Sequence, residues 1–235
     1  MSKTEQLAMF LKSNRDVIGK VVDFHPATDR LCQVDLTANN PNLTAKIISN
    51  SDKFSAWVNS LLTANNCKYG IGGYFEHRTI YKGIPLFETQ EGARLLHLGV
   101  DIWAGAGTVV YSPLAGKIHS FADNKNFGDY GPTIILKHEL NGLKLFTLYG
   151  HLNRACLKGL SVGMGISKNQ KLGEFGDINE NGQWPPHLHF QLMFDMQGNQ
   201  GDYPGACLFT EKEKFLLNIP DPQLLLNFPK AVNTL

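Results

Sequence analysis

No run of five or more like charges occurs in this 235-residue sequence, and the net charge at neutral pH is only +1. A polyanion footprint needs clustered Lys and Arg, so nucleic acid is excluded as the expected partner. Long apolar runs are missing too. Nowhere do about eighteen apolar residues follow one another, which excludes a membrane-spanning helix. The opening stretch MSKTEQLAMFLKSNRDV interleaves Lys3, Glu5, Lys12, Arg15 and Asp16 with its apolar residues and has no small-residue cleavage site, so it does not read as a secretory signal. The expected location is therefore cytoplasmic by default, with signal-independent export as the other route. Cysteine is scarce: Cys32, Cys67, Cys156 and Cys207 are widely scattered and form no CxxC pair. Without an export signal, reduced buried thiols are expected and not a disulfide framework.

What remains is an ordinary folding composition, 43% hydrophobic and 18% charged, in a length that suits one sizeable domain or a domain with an extension. Two segments differ in pattern. Residues 1–69 are mixed α/β, a segment that either covers a groove or extends a sheet. Ser2 and Glu5 have capping-box spacing ahead of Leu7, Phe10 and Leu11, predicting a helix that ends before Gly19. Val21, Val22 and Phe24, then residues 31–36, then residues 45–48 read as short strands broken by Pro26 and the Asn39-Asn40-Pro41 turn. Phe54, Trp57, Val58, Leu61 and Leu62 fall at i, i+3, i+4, i+7 and i+8, the stripe of an amphipathic helix that packs on a sheet.

Residues 70–235 turn β-rich. Strands are expected near 100–103, 108–111, 116–121, 133–138, 143–149 and 187–193, with Asn141-Gly142 as a hairpin turn. Short helices are expected near 211–217 and after Pro222. The fold class is mainly β, α+β overall: an antiparallel sheet or sandwich forming a groove.

Three pieces carry chemistry: His97-Leu98-Gly99-Val100-Asp101, Tyr149-Gly150-His151-Leu152 and His187-Leu188-His189-Phe190. On a strand, alternation puts His97 and Asp101 on one face and His187 with His189 on another, each pair interleaved with anchoring apolar residues. Two such strands side by side would present four polar groups on one surface. Imidazole and carboxylate suit zinc, and a catalytic zinc takes three protein ligands and keeps a position open. His151 and His187 then stand ready as proton acceptors. His138, alternating with Leu136 and Ile134, reads as a structural histidine. His25, His77 and His119 lack partner motifs, and Tyr149 reads as a packing residue. Gly99 and Gly107 read as positions of tight backbone geometry.

HLGVD, GTVVYSPLAGKI, YGHL and HLHF, in that order over about residues 94–192, resemble the lysostaphin-type (LytM-like, glycyl-glycine endopeptidase) zinc metallopeptidases. The resemblance implies one zinc on His97, Asp101 and His189, active-site roles for His151 and His187, and a peptide or peptidoglycan cross-link as substrate. GGYFEHRTIY, GDINENGQWPPHLHFQL and GDYPGA look like the intracellular version of this module, which occurs beside class III aminotransferases. Trp184, Pro185 and Pro186 stand where the cell-wall enzymes have small residues, so substrate preference is expected to differ. Two other functions are open to the same motifs: a zinc-bearing non-catalytic binding or regulatory module, and an intracellular zinc hydrolase of a small amide or phosphorylated metabolite.

Overall fold

The computed structural model describes residues 1–233. Ser2 opens the first helix, α1 (Lys3–Ser13): its hydroxyl accepts from the Glu5 amide while the Glu5 carboxylate accepts from the Ser2 amide, completing the capping box. Leu7 and Leu11 are its buried face. Val21 and Val22 are buried as well, but they form no strand. The Val21 carbonyl instead accepts from the Tyr111 amide, and Pro26 closes the segment.

Of residues 31–36 only β1 (Leu31–Gln33) is strand. Residues 45–48 correct the strand expectation: they form a helical turn, α2 (Ala45–Ile48), with the Ile48 and Ser49 amides bonded to the Thr44 and Ala45 carbonyls. Four residues, Ala45-Lys46-Ile47-Ile48, are too few to carry a period that separates helix from strand, and contact with the following helix decides it. That helix, α3 (Ser51–Ala64), is capped by the Asn50 side chain and buries Phe54, Val58 and Leu62, as its stripe predicts.

The remaining strands of the main sheet are β2 (Tyr69–Gly72), β3 (Val100–Trp103), β4 (Gly116–Asn124), β5 (Gly131–Leu140), β6 (Leu143–Gly150), β7 (Gly165–Ile166) and β8 (His187–Met193). Their spatial order is β1-β2-β3-β8-β6-β5-β4-β7. Only the β1–β2 pair is parallel. Asn141 and Gly142 join β5 to β6 with φ of 51° and 87°, the left-handed pair that a two-residue hairpin turn requires. Two-stranded ribbons flank the sheet; one pairs Leu96–His97 with Ala206–Cys207. The helices α4 (Lys212–Leu216) and α5 (Gln223–Leu226) lie where expected.

Alternation divides the sheet into two faces. Val100, Ile102, Leu188, Phe190 and Leu192 join one apolar cluster with Leu7 and Leu11 of α1 and with Tyr149. On the other face, polar residues of β3 and β8 are flanked by two further clusters, one containing Tyr130 and Met193, the other Phe54 and Trp103. β1 thus adds a strand beside β2, and α3 packs Phe54 on Trp103 of β3.

One expectation about cysteine fails. Cys32 and Cys67 form a disulfide, their Cα atoms 5.9 Å apart, while Cys156 and Cys207 are free. The pair forms because parallel pairing of β1 with β2 brings Cys32 beside the residues just ahead of Tyr69, a long-range contact that spacing does not encode. Among the described residues no helix is long and apolar enough to cross a membrane.

Candidate metal centre

Register assembles the site. Gly72 pairs with Asp101, Asp101 with His189, and His189 with Gly150, a row across β2, β3, β8 and β6. The next row sets Gly70, Trp103 and His187 side by side. His97 enters from a different element than alternation alone predicts: it ends the short Leu96–His97 strand, and Leu98-Gly99 bends the chain before β3 begins. The outcome is still convergence. One donor atom each from His97, Asp101 and His189 lies within 4.8 Å of the others, and all three side chains are buried.

Hydrogen bonds around the trio fix where its protons sit. His97 Nδ1 lies 2.8 Å from the Gly73 carbonyl, an acceptor only, so Nδ1 carries the proton and Nε2 keeps its lone pair. Gln191 Nε2 donates to the Pro204 carbonyl, which turns Gln191 Oε1 toward His189 Nε2 at 2.9 Å. His189 Nε2 is therefore the donor and Nδ1 the lone pair. His97 Nε2 and His189 Nδ1 stand 2.9 Å apart, and Asp101 Oδ1 lies 3.2 and 3.1 Å from them. With both rings neutral, three proton-free acceptors face one point. Such lone pairs repel unless a metal ion or a shared proton joins them, and two imidazoles with one carboxylate is a donor set that zinc takes.

Arg78, a residue sequence reading passed over, supports the carboxylate. Its side chain is only 2% exposed; Nη1 donates to Asp101 Oδ2 at 2.5 Å and to the Tyr81 hydroxyl, and Nε donates to Glu76 Oε2 at 2.7 Å. Asp101 therefore offers Oδ2 to the guanidinium and Oδ1 to the histidines. Burial works to raise the Asp101 carboxyl, but the Arg78 guanidinium beside it leads the contacts that outweigh burial and hold the group well below the usual carboxylate range. Burial, with Arg78 nearby, lowers His97 to about 4, so its imidazole is neutral at pH 7.

His151 and His187 line the same pocket. His187 Nδ1 donates to the Pro185 carbonyl at 2.7 Å, and His151 Nδ1 donates to the Asn181 carbonyl at 2.7 Å, which leaves both Nε2 atoms proton-free. The Trp184-Pro185-Pro186 run thus aims His187. Asn181, fully buried and bonded to the Trp184 backbone, aims His151. Trp103 stacks face to face on His187 with ring centroids 4.0 Å apart. His151 and His187 are themselves 4.1 Å apart by centroid. His151 takes φ of +62°, a left-handed conformation costly for a non-glycine residue, immediately after β6. Burial lowers the His187 imidazole to about 4 and holds His151 well below its ordinary value.

Other expectations fall outside the site. His138 is buried between the Ala115 carbonyl and the Thr147 hydroxyl, a structural role as read from sequence. Tyr149 packs on Phe190 on the opposite face. His77 meets Phe209 edge-on, and His119 bonds Ser120. Arg78, Glu76, Tyr130, Asn181 and Gln191 were not foreseen; EHR and ENG lay inside quoted stretches but carried no spacing signal of their own.

Residues 95–202 match the model of Peptidase family M23. The matched stretch begins at the residue before the Leu96–His97 strand and ends beyond β8, so it holds His97, Asp101, His151, His187 and His189. No curated protein matches the chain significantly. Among solved structures, the catalytic domain of the antimicrobial peptidase lysostaphin from Staphylococcus simulans is 25% identical, covering 68% of this chain and 96% of that one at a TM-score of 0.36. LytU is 22% identical over 66% of this chain and 90% of that one, with a TM-score of 0.38. A structure from Pseudomonas aeruginosa described as a peptidase M23 is 18% identical over 56% of this chain, with a TM-score of 0.37. The chain spans 44% of that structure's length.

Proposed function

We propose that this chain is a zinc-dependent peptidase that hydrolyses a peptide bond, with His97, Asp101 and His189 as metal ligands and His151 and His187 as the proton-handling groups. The observation that carries the reading is the set of three proton-free acceptors facing one point in a buried pocket. Zinc bound there would supply a Lewis acid that lowers the pKa of water toward about 7. The chain's own residues supply the rest. His187 Nε2, 3.9 Å from Asp101 Oδ1, takes a proton from the attacking water. The imidazolium so formed then becomes a donor to the oxygen of the tetrahedral carbon or to the leaving amine, and His151, stacked against it, shares that work. Arg78 keeps Asp101 ionised, and the Pro185 and Asn181 carbonyls hold both imidazoles in the accepting tautomer.

The match to Peptidase family M23 supports an endopeptidase acting on a glycine-rich peptide or a peptidoglycan cross-link. Purified protein incubated with pentaglycine and with peptidoglycan, with and without chelator, tests it: chelator-sensitive cleavage is the expected result. Cleavage of neither substrate, with zinc bound, contradicts it and favours the non-catalytic module. A second reading, a short substrate over a polymer, draws on the pocket walls. Leu36, Tyr81, Phe87, Trp184 and Tyr203 stand around the cluster, and pentaglycine turned over without any attack on peptidoglycan is its signature.

A further inference from the structure

Among the described residues, six buried side-chain nitrogen or oxygen atoms have no hydrogen-bond partner: Ser55 Oγ, Arg78 Nη2, Arg94 Nε, Trp103 Nε1, Asp123 Oδ1 and Tyr149 Oη. The three nitrogens are all N–H donors, and all three belong to residues lining the pocket at the His97–Asp101–His189 cluster. Buried donors are ordinarily paired, and several orphans lining one cavity call for an acceptor that enters it.

Two of the donors converge. Arg78 and Trp103 are each 1% exposed. A Cβ added to Gly72 would lie 2.7 Å from Arg78 Nη2 and 3.2 Å from Trp103 Nε1, so the two nitrogens are neighbours packed against the side-chain-free backbone of β2. The other arm of the same guanidinium holds Asp101 Oδ2. An acceptor on Nη2 would therefore share one guanidinium with the ligand carboxylate. A guanidinium with a second N–H beside it presents donors to two oxygens of a planar anion, the geometry that selects carboxylate. Arg94 adds a second positive charge to the same lining. The other carboxylates there, Asp129 and Asp202, come from separate loops.

We propose that the pocket binds a free carboxylate of the substrate on Arg78 Nη2 and Trp103 Nε1, with Arg94 contributing charge, so that the hydrolysed peptide bond neighbours a carboxylate-bearing residue. The word substrate rests on the peptidase reading; the carboxylate site itself does not.

Titration calorimetry of the purified protein, zinc-loaded and metal-free, with N-acetylglycine, N-acetylglycinamide and inorganic phosphate separates the two. The carboxylate is expected to bind at least about tenfold more tightly than the amide in both forms, as a charge-assisted hydrogen-bond pair implies. Trp103→Phe, which keeps a ring on His187 but removes Nε1–H, is expected to abolish most of that preference, and Arg94→Gln to reduce it. Equal binding of acid and amide overturns the proposal. So does a preference seen only with zinc present, which means direct metal ligation, or phosphate binding as tightly as the carboxylate. Hydrolysis of triglycine against triglycinamide is read separately: no cleavage of either peptide, with the carboxylate preference intact, contradicts the peptidase reading and leaves the binding site standing.

Discussion

A methyl group added at Gly99 would lie 2.6 Å from His189 Cε1 and Nε2 and 2.8 Å from the Phe190 carbonyl. The backbone there cannot recede, so the imidazole must move. Gly99→Ala is expected to weaken zinc binding at least about tenfold, read by chelator competition, with little change in far-UV circular dichroism. The residues that aim the ligands behave alike: Gln191→Leu removes the acceptor that fixes the His189 tautomer and should cost about 10–100-fold in metal affinity. For the proton-handling pair the expectation is different. His187→Ala and His151→Asn should retain zinc and lose about 10²–10⁴ in kcat, because they touch no ligand position and asparagine tolerates the left-handed backbone of residue 151. Loss of zinc from either variant would contradict that division. At this scale the convergence of His97, Asp101 and His189 was legible, because imidazole and carboxylate are residue types that a metal site uses. Arg78 and Asn181 were not: each reaches its partner from far away in sequence, and no residue type or interval marks such a contact. Gln191, two residues from His189 on the same face of β8, lay at an interval that alternation does mark.

Elements were legible in proportion to how much local signal they carry. The capping box, the stripe of α3 and the Asn141-Gly142 turn each fix their own geometry within a few residues. Residues 45–48 and Val21-Val22 do not, and tertiary packing assigned them. The β5–β6 hairpin carries a testable device of its own. His138 on β5 bonds Thr147 on β6 and the Ala115 carbonyl ahead of β4, and burial lowers its pKa to about 4. The unfolded chain, with an ordinary histidine pKa near 6.5, binds more protons than the folded one between those values. This histidine's contribution is therefore complete above pH 6.5 and is lost as pH falls toward 4, a decline of order 3 kcal/mol. Urea unfolding of the metal-free protein between pH 7 and pH 4.5 should show that loss, and His138→Gln should lose less over the same interval. An equal decline in the variant would place the acid sensitivity elsewhere.

The molecule is built on an eight-stranded sheet whose first strand arrives from the N-terminal segment and is tied down by Cys32–Cys67. That bridge was illegible because four scattered cysteines permit several pairings and the chain's opening offered no reason to expect any. Closing a loop between cysteines 35 residues apart is worth about 3–4 kcal/mol in chain entropy. Reduction with dithiothreitol, or Cys32→Ala with Cys67→Ala, should lower stability by about 2–4 kcal/mol; unchanged stability would show the bridge unformed in solution. The loosening should also be felt at the site, because the Leu36 amide, three residues beyond β1, donates to Glu76, which in turn holds Arg78. If side chains from three separate strands grip one metal ion, elemental analysis of the purified protein beside its His189→Ala variant will register it. One zinc per chain is expected in the first and little in the second. No bound metal in the first, or undiminished zinc in the second, would contradict it.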